Sequence, residues 1–189
     1  MTNALLQLLA PRHKVFVSFH HGNDWHYRHA FELIFARSYN IFISASVQIG
    51  EIDPSTPAEA ARTLIRQKYL QDSTVTVVLV GSQTWQRKHV DWEIGSSIRA
   101  TMLNSRSGLL GILLPTYPRL LLSTYDKYTI PPRLSDNAER GYAKIYNWSD
   151  NPIEVGSWIH EAFERRNKVE PNNSYPNFIN NRFSTSWRT

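Results

Sequence analysis

The chain has 189 residues, 41% hydrophobic and 20% charged, a balance that suits one globular domain with a tail and a core large enough to need no cross-links. It holds no cysteine, which excludes a disulfide framework, a thiolate metal site and a cysteine nucleophile. The net charge of +5 is scattered over Arg62, Arg66, Lys68, Arg87, Lys88, Arg165, Arg166 and Lys168, the pattern of a solvated basic surface, compatible with a small anionic ligand and a poor fit to nucleic acid.

Residues 1–12 read as an N-terminal extension. The stretch is apolar but short, lacks a basic start and is interrupted by Gln7, so a signal peptide is not expected. No other stretch is long and apolar enough to span a bilayer, and the cytoplasm is the expected compartment. Residues 13–19 (HKVFVSF) are short, β-branched and aromatic, a buried strand. Gly22, Asn23 and Asp24 form a turn, with Asn23 or Asp24 as the cap of a helix over 25–37. That helix shows Ala30, Phe31, Ile34 and Phe35 at helical spacing.

A second strand is predicted at 41–44, then a loop at 47–56 and a helix over 57–69 that opens on Pro57 and faces inward with Ala58, Ala61, Leu64 and Ile65. Residues 74–80 (TVTVVLV) form the clearest element, a central parallel strand covered on both faces. It ends at Gly81-Ser82, and a helix follows from about His89 to Met102. Another buried strand spans 109–114 (LLGILL). Residues 115–142 carry Pro118, Pro131 and Pro132 and read as a long irregular connection. A short strand at 143–148 and a helix from Asn151-Pro152 to about Asn167 complete the domain, 13–167. Residues 168–189 read as a polar tail without a core of its own.

Strands and helices thus alternate about five times, which predicts a single-domain α/β fold of the flavodoxin-like kind, mostly parallel, with helices on both faces of the sheet. Ligands in such folds bind at the carboxyl ends of the strands, near the crossover in strand order. The ends to watch are therefore residues 18–20, 44–46 and 81–82.

Three segments, 15–20 (VFVSFH), 77–84 (VVLVGSQT) and 87–94 (RKHVDWEI), together resemble the TIR family, and more closely its TIR-like branch found in bacterial Thoeris anti-phage defence. The family opens the helix of the third segment with a Trp-Cys-x-x-Glu pattern; here His89 and Val90 stand at the first two positions and Glu93 at the last. Residues 47–53 do not show the family's usual loop motif.

The resemblance implies an enzyme that breaks the nicotinamide–ribose bond of NAD⁺, its substrate, with no further cofactor. The product would be an ADP-ribose-derived signal, cyclic or conjugated. It implies Glu93 as the catalytic glutamate. Nicotinamide in NAD⁺ is already a cationic leaving group and needs no general acid. One carboxylate near the ribose can stabilise the oxocarbenium-like transition state. On position alone, a carboxylate early in a helix is what the helix dipole favours for plain stability, and most acids in a first turn are structural or solvated.

Phe19 and His20 end the first strand and are candidates to line the pocket, with core packing the simpler account of Phe19. Ser46 and Ser82 are candidates to hydrogen-bond ribose or phosphate, with turn chemistry as the simpler account. Trp85 either walls the site or packs. Asp24 either meets the ligand or caps the first helix.

His20, His21, His26 and His29 lie within ten residues, and His26 and His29 share a helix face, which keeps a metal-dependent hydrolase open as a minority reading. No carboxylate-rich pattern surrounds them, and no metal is expected. The alternative to NAD⁺ chemistry is a non-catalytic TIR-type assembly and signalling module. The partners expected are NAD⁺, further copies of the chain, a phage-derived activator and a separate effector that responds to the product. Tyr175, Phe178 and Trp187 in the tail are candidate contacts for self-association.

Overall fold

The computed structural model describes residues 12–45, 70–101, 105–119 and 124–187, with Thr56, Pro57, Ala60, Thr63, Leu64, Gln67 and Leu121 between them. Its centre is a five-stranded sheet in the order β2-β1-β3-β4-β5. The strands are β1 (His13–Ser18), β2 (Phe42–Ala45), β3 (Val75–Val80), β4 (Gly108–Leu113) and β5 (Ala143–Asn147). Every neighbouring pair is parallel, as the β-branched runs and intervening helices predict.

Side chains alternate along each strand and so divide the core between two layers. Val15, Val17, Val77 and Leu79 pack towards Phe31 and Phe35 and towards Val155 and Ile159. Phe31 ends α1 (His21–Phe31), and Val155 and Ile159 lie on α4 (Pro152–Arg165). On the other face Val78, Val80, Leu109 and Leu113 meet Val90, Ile94 and Leu134. Val90 and Ile94 belong to α2 (Lys88–Ser97), and Leu134 to α3 (Pro132–Glu139).

The boundaries depart from the sequence reading in instructive places. α1 starts at His21, not Trp25, because neither Asn23 nor Asp24 caps it: the cap is His20, whose ring nitrogen accepts the Asn23 N–H. The helix then widens into a π-helical stretch, Glu32–Ser38, which keeps Phe31 and Phe35 both inside. The connection at 115–142 is not irregular throughout. It holds a 3₁₀ turn, Lys127–Thr129, and then α3, where Pro132 occupies a first-turn position in which a missing N–H is harmless. The helix expected over 57–69 lies largely outside the described residues, and Leu64, placed on its inner face, is exposed.

Residues 170–187 have no helix or strand, yet they form a strap across α2 and α3. Arg133 of α3 is 1% exposed and pairs with Asp91 of α2 at 2.7 Å. The same guanidinium donates to Asn173 Oδ1, Asn177 Oδ1 and the Tyr175 carbonyl. Asp91 accepts the Phe178 N–H, and the Trp92 indole donates to the Phe178 carbonyl. Asn181 Oδ1 accepts the N–H of Lys88 in the first turn of α2, where backbone donors have no acceptor within the helix. Trp187 donates from its ring to the Ile130 carbonyl. Phe178 is consequently buried, and Tyr175 and Trp187 half-buried, so the expected exposed aromatic contacts of the tail are not exposed. Among the described residues no helix is long and apolar enough to cross a membrane.

Candidate functional site

The strand order reverses between β1 and β3: from β1 the chain moves outward to β2, then returns to β3 on the other side. The two carboxyl ends flank the crevice where doubly wound sheets bind ligands. Ser18 ends β1 there, and Gly81 follows β3.

Glu93 reaches this crevice from α2. It stands in the second turn of the helix rather than the first, so the helix dipole is a weak account of it. The side chain is 4% exposed, and its Oε2 lies 2.5 Å from Ser18 Oγ. Burial pushes the carboxyl up to about 8, and the Ser18 hydrogen bond opposes this only in part. Glu93 is therefore a neutral acid at pH 7 in the closed site, a strongly perturbed group beside the β1/β3 switch point.

Histidines accumulate around the same crevice. His89, one turn before Glu93 on α2, is held below the ordinary imidazole value by burial and by Lys88. Burial, with His89, Arg28 and His20, lowers His21 to about 4. His20 is lowered by burial and then by Arg87. All three rings are biased to the neutral form.

Asp24 is buried at 1% exposure and braces the crevice. Its carboxylate accepts from Thr116 at 3.1 Å and from Thr84 at 3.4 Å, while Thr84 itself accepts the Gly81 N–H. A Cβ on Gly81 would sit 2.3 Å from Asp24 Oδ2, so this close approach requires glycine. Asp24 is thus a tie between α1, the turn after β3 and the β4 end, not a helix cap.

The remaining candidates are distributed as follows. Phe19 faces the layer of α1 and α4, opposite to Ser18, and packs in that core with the His21 ring 4.3 Å from its own. His20 caps α1 beside the crevice. Ser82 is exposed in the turn after β3, and Trp85 is buried in a 3₁₀ turn, Thr84–Gln86. Ser46 lies outside the described residues. His26 and His29 are exposed on α1. Among the described residues no group of three or more His, Asp or Glu is placed to hold a metal ion. The sequence reading missed Ser18 as the partner of Glu93, although strand alternation puts it on the α2 face.

A family model for the TIR-like domain of Thoeris protein ThsB matches residues 16–119, from β1 to just past β4. No curated protein matches the chain. The matched stretch is more than half of the 189 residues and contains both Ser18 and Glu93. With its parallel five-stranded sheet and the carboxyl at the β1/β3 crevice, the chain belongs to the Thoeris ThsB TIR-like family, whose setting is anti-phage defence.

Proposed function

We propose that this chain cleaves NAD⁺ at the nicotinamide–ribose bond and releases the ADP-ribose portion as a cyclic or conjugated defence signal. The observation that carries the reading is Glu93, a buried carboxyl on Ser18 beside the β1/β3 crevice. As the bond breaks, its electron pair goes to the nicotinamide nitrogen and positive charge grows on the ribose. An ionised carboxylate beside that sugar stabilises the charge.

Ionisation is the step that the closed site resists, since burial keeps Glu93 protonated near pH 7. A pyridinium cation entering the crevice favours the anion, so substrate binding would lower the Glu93 pKa and the proton would leave to solvent. Burial keeps His20, His21 and His89 biased to neutrality, so they add little positive charge to oppose that cation. Self-association, a phage-derived activator and a separate effector for the product belong to the same proposal.

The assembly module is the second reading, and the 4% exposure of Glu93 favours it, because catalysis requires the crevice to open. The two separate in one experiment. Purified protein is incubated with NAD⁺, alone and with lysate from phage-infected cells, and the products are resolved by chromatography and mass spectrometry beside Glu93→Gln. Nicotinamide release that disappears in Glu93→Gln supports the enzyme, and the co-product mass identifies the signal. Folded protein that releases none under either condition supports the assembly module. Release that persists in Glu93→Gln removes Glu93 from the chemistry.

A further inference from the structure

We propose that His20 and Arg87, at the start of α1 and the turn after β3, form a subsite for a phosphate oxyanion.

The Asn23 backbone N–H donates to His20 Nδ1 at 3.0 Å. A backbone amide nitrogen only donates, so Nδ1 is the acceptor and the neutral ring carries its proton on Nε2. His20 is 8% exposed, and this Nε2 is buried with no partner. A buried N–H without an acceptor is costly, and such groups are rare in folded proteins. Here it lies at the N-terminus of an 11-residue helix, beside the crossover where the fold binds ligands.

Arg87 supplies a second donor. Its Nε is also buried without a partner, and its charge is close enough to depress the His20 imidazole. Its Nη2 is 3.4 Å from Gln83 Oε1. The same oxygen accepts from Asn23 Nδ2 at 3.0 Å. A neutral amide oxygen, on an exposed side chain, thus bridges donors from the start of α1 and from Arg87. An oxyanion that displaced Gln83 would meet Asn23 Nδ2–H and the Arg87 guanidinium at the N-terminus of α1, the helix that His20 caps. Asp24, the acid of this region, is directed elsewhere: its oxygens accept from Thr84 and Thr116.

Arg87 precedes Glu93 by six residues, about 9 Å along the axis of α2. The subsite and the carboxyl are thus set at different turns of one helix, Arg87 at its cap and Glu93 in its second turn. Identification of the oxyanion as the pyrophosphate of NAD⁺ rests on the function proposed above; the subsite itself does not.

The test is titration of inorganic pyrophosphate into the full chain, followed by calorimetry and by the histidine side-chain resonances in NMR spectra. Saturable binding that shifts the His20 Nε2–H is expected. Arg87→Met should weaken it about 10- to 100-fold, the worth of a charged hydrogen bond. His20→Asn retains an acceptor for the Asn23 N–H and should weaken binding about 10-fold, while Arg140→Met, at the C-terminal cap of α3, should leave it unchanged.

Absence of saturable binding in folded protein overturns the subsite. Full affinity in both folded variants does the same. NAD⁺ turnover is read on the same samples. Pyrophosphate binding at His20 without turnover keeps the subsite and removes the NAD⁺ reading. Turnover with full affinity in both variants keeps the NAD⁺ reading and removes the subsite.

Discussion

Glu93→Gln should stabilise the protein, and by an amount that grows with pH. The carboxyl titrates at about 8 in the folded chain against an ordinary value of 4.5. Below pH 4.5 both folded and unfolded chains hold the proton. Between the two values the folded state keeps a proton that the unfolded state has released, so stability falls as pH rises, by up to about 1.4 kcal/mol per pH unit. At pH 7 the accumulated loss is about 3 kcal/mol relative to the acid end, and above about pH 8 it levels off.

Glutamine has the same shape and does not titrate. Its amide adds a buried donor whose cost is constant with pH, so the pH-dependent part of the difference belongs to the carboxyl. The assay is urea denaturation of both proteins at intervals from pH 4.5 to 8.5. The variant-minus-native difference should climb by about 3 kcal/mol up to pH 7, a gain of about 6–12 °C in Tm for a domain of this size. His13 and His21 are both held to about 4 by burial and act in the opposite sense, gaining stability as pH rises through 4 to 6.5. They do so in both proteins and cancel in the difference. A difference curve flat with pH would refute the neutral, buried Glu93 and, with it, the substrate-driven ionisation.

The other perturbations test the frame around the site. Arg133→Met leaves the Asp91 carboxylate buried without its partner and should cost about 3–5 kcal/mol, with faster hydrogen exchange at the Phe178 amide; Asp91→Asn in the same chain should recover part of the loss. Gly108→Ala would place a Cβ 2.1 Å from the Ala162 carbonyl oxygen, a backbone atom, so α4 must shift away from β4. A cost of about 1–3 kcal/mol is expected, read as a lower urea midpoint with an unchanged slope.

The sheet was legible in the sequence because buried parallel strands need β-branched and aliphatic runs, and residues 74–80 and 109–114 supply them with little polar interruption. α3 was not legible, because Pro131-Pro132 reads as a breaker until the second proline is seen to occupy a first helical turn. The cap of α1 was hidden for a different reason: histidine is not a preferred capping residue, and only the position of Asn23 shows its ring nitrogen in that role. Glu93 was found through the resemblance. Its burial, and with it the neutral form, depends on packing contributed by distant segments, and the Ser18 hydrogen bond opposes that form only in part. Phe19 could have been placed by alternation, since consecutive strand residues face opposite layers. The strap escaped because Asn173 and Asn177 look like solvated loop residues unless a buried arginine stands opposite them.

The strap also sets an order of events. Asp91 accepts from the Phe178 amide, 87 residues downstream, whereas its ion-pair partner Arg133 is only 42 residues away. A chain growing from its N-terminus therefore displays α2 long before it has made the segment that seals it. Until then Asp91 and Arg133 remain wet, and the helix that carries Glu93 rests on one covered side. A chain that stops before residue 173 holds every residue of the family match and still lacks the outer wall of the helix bearing its candidate carboxylate.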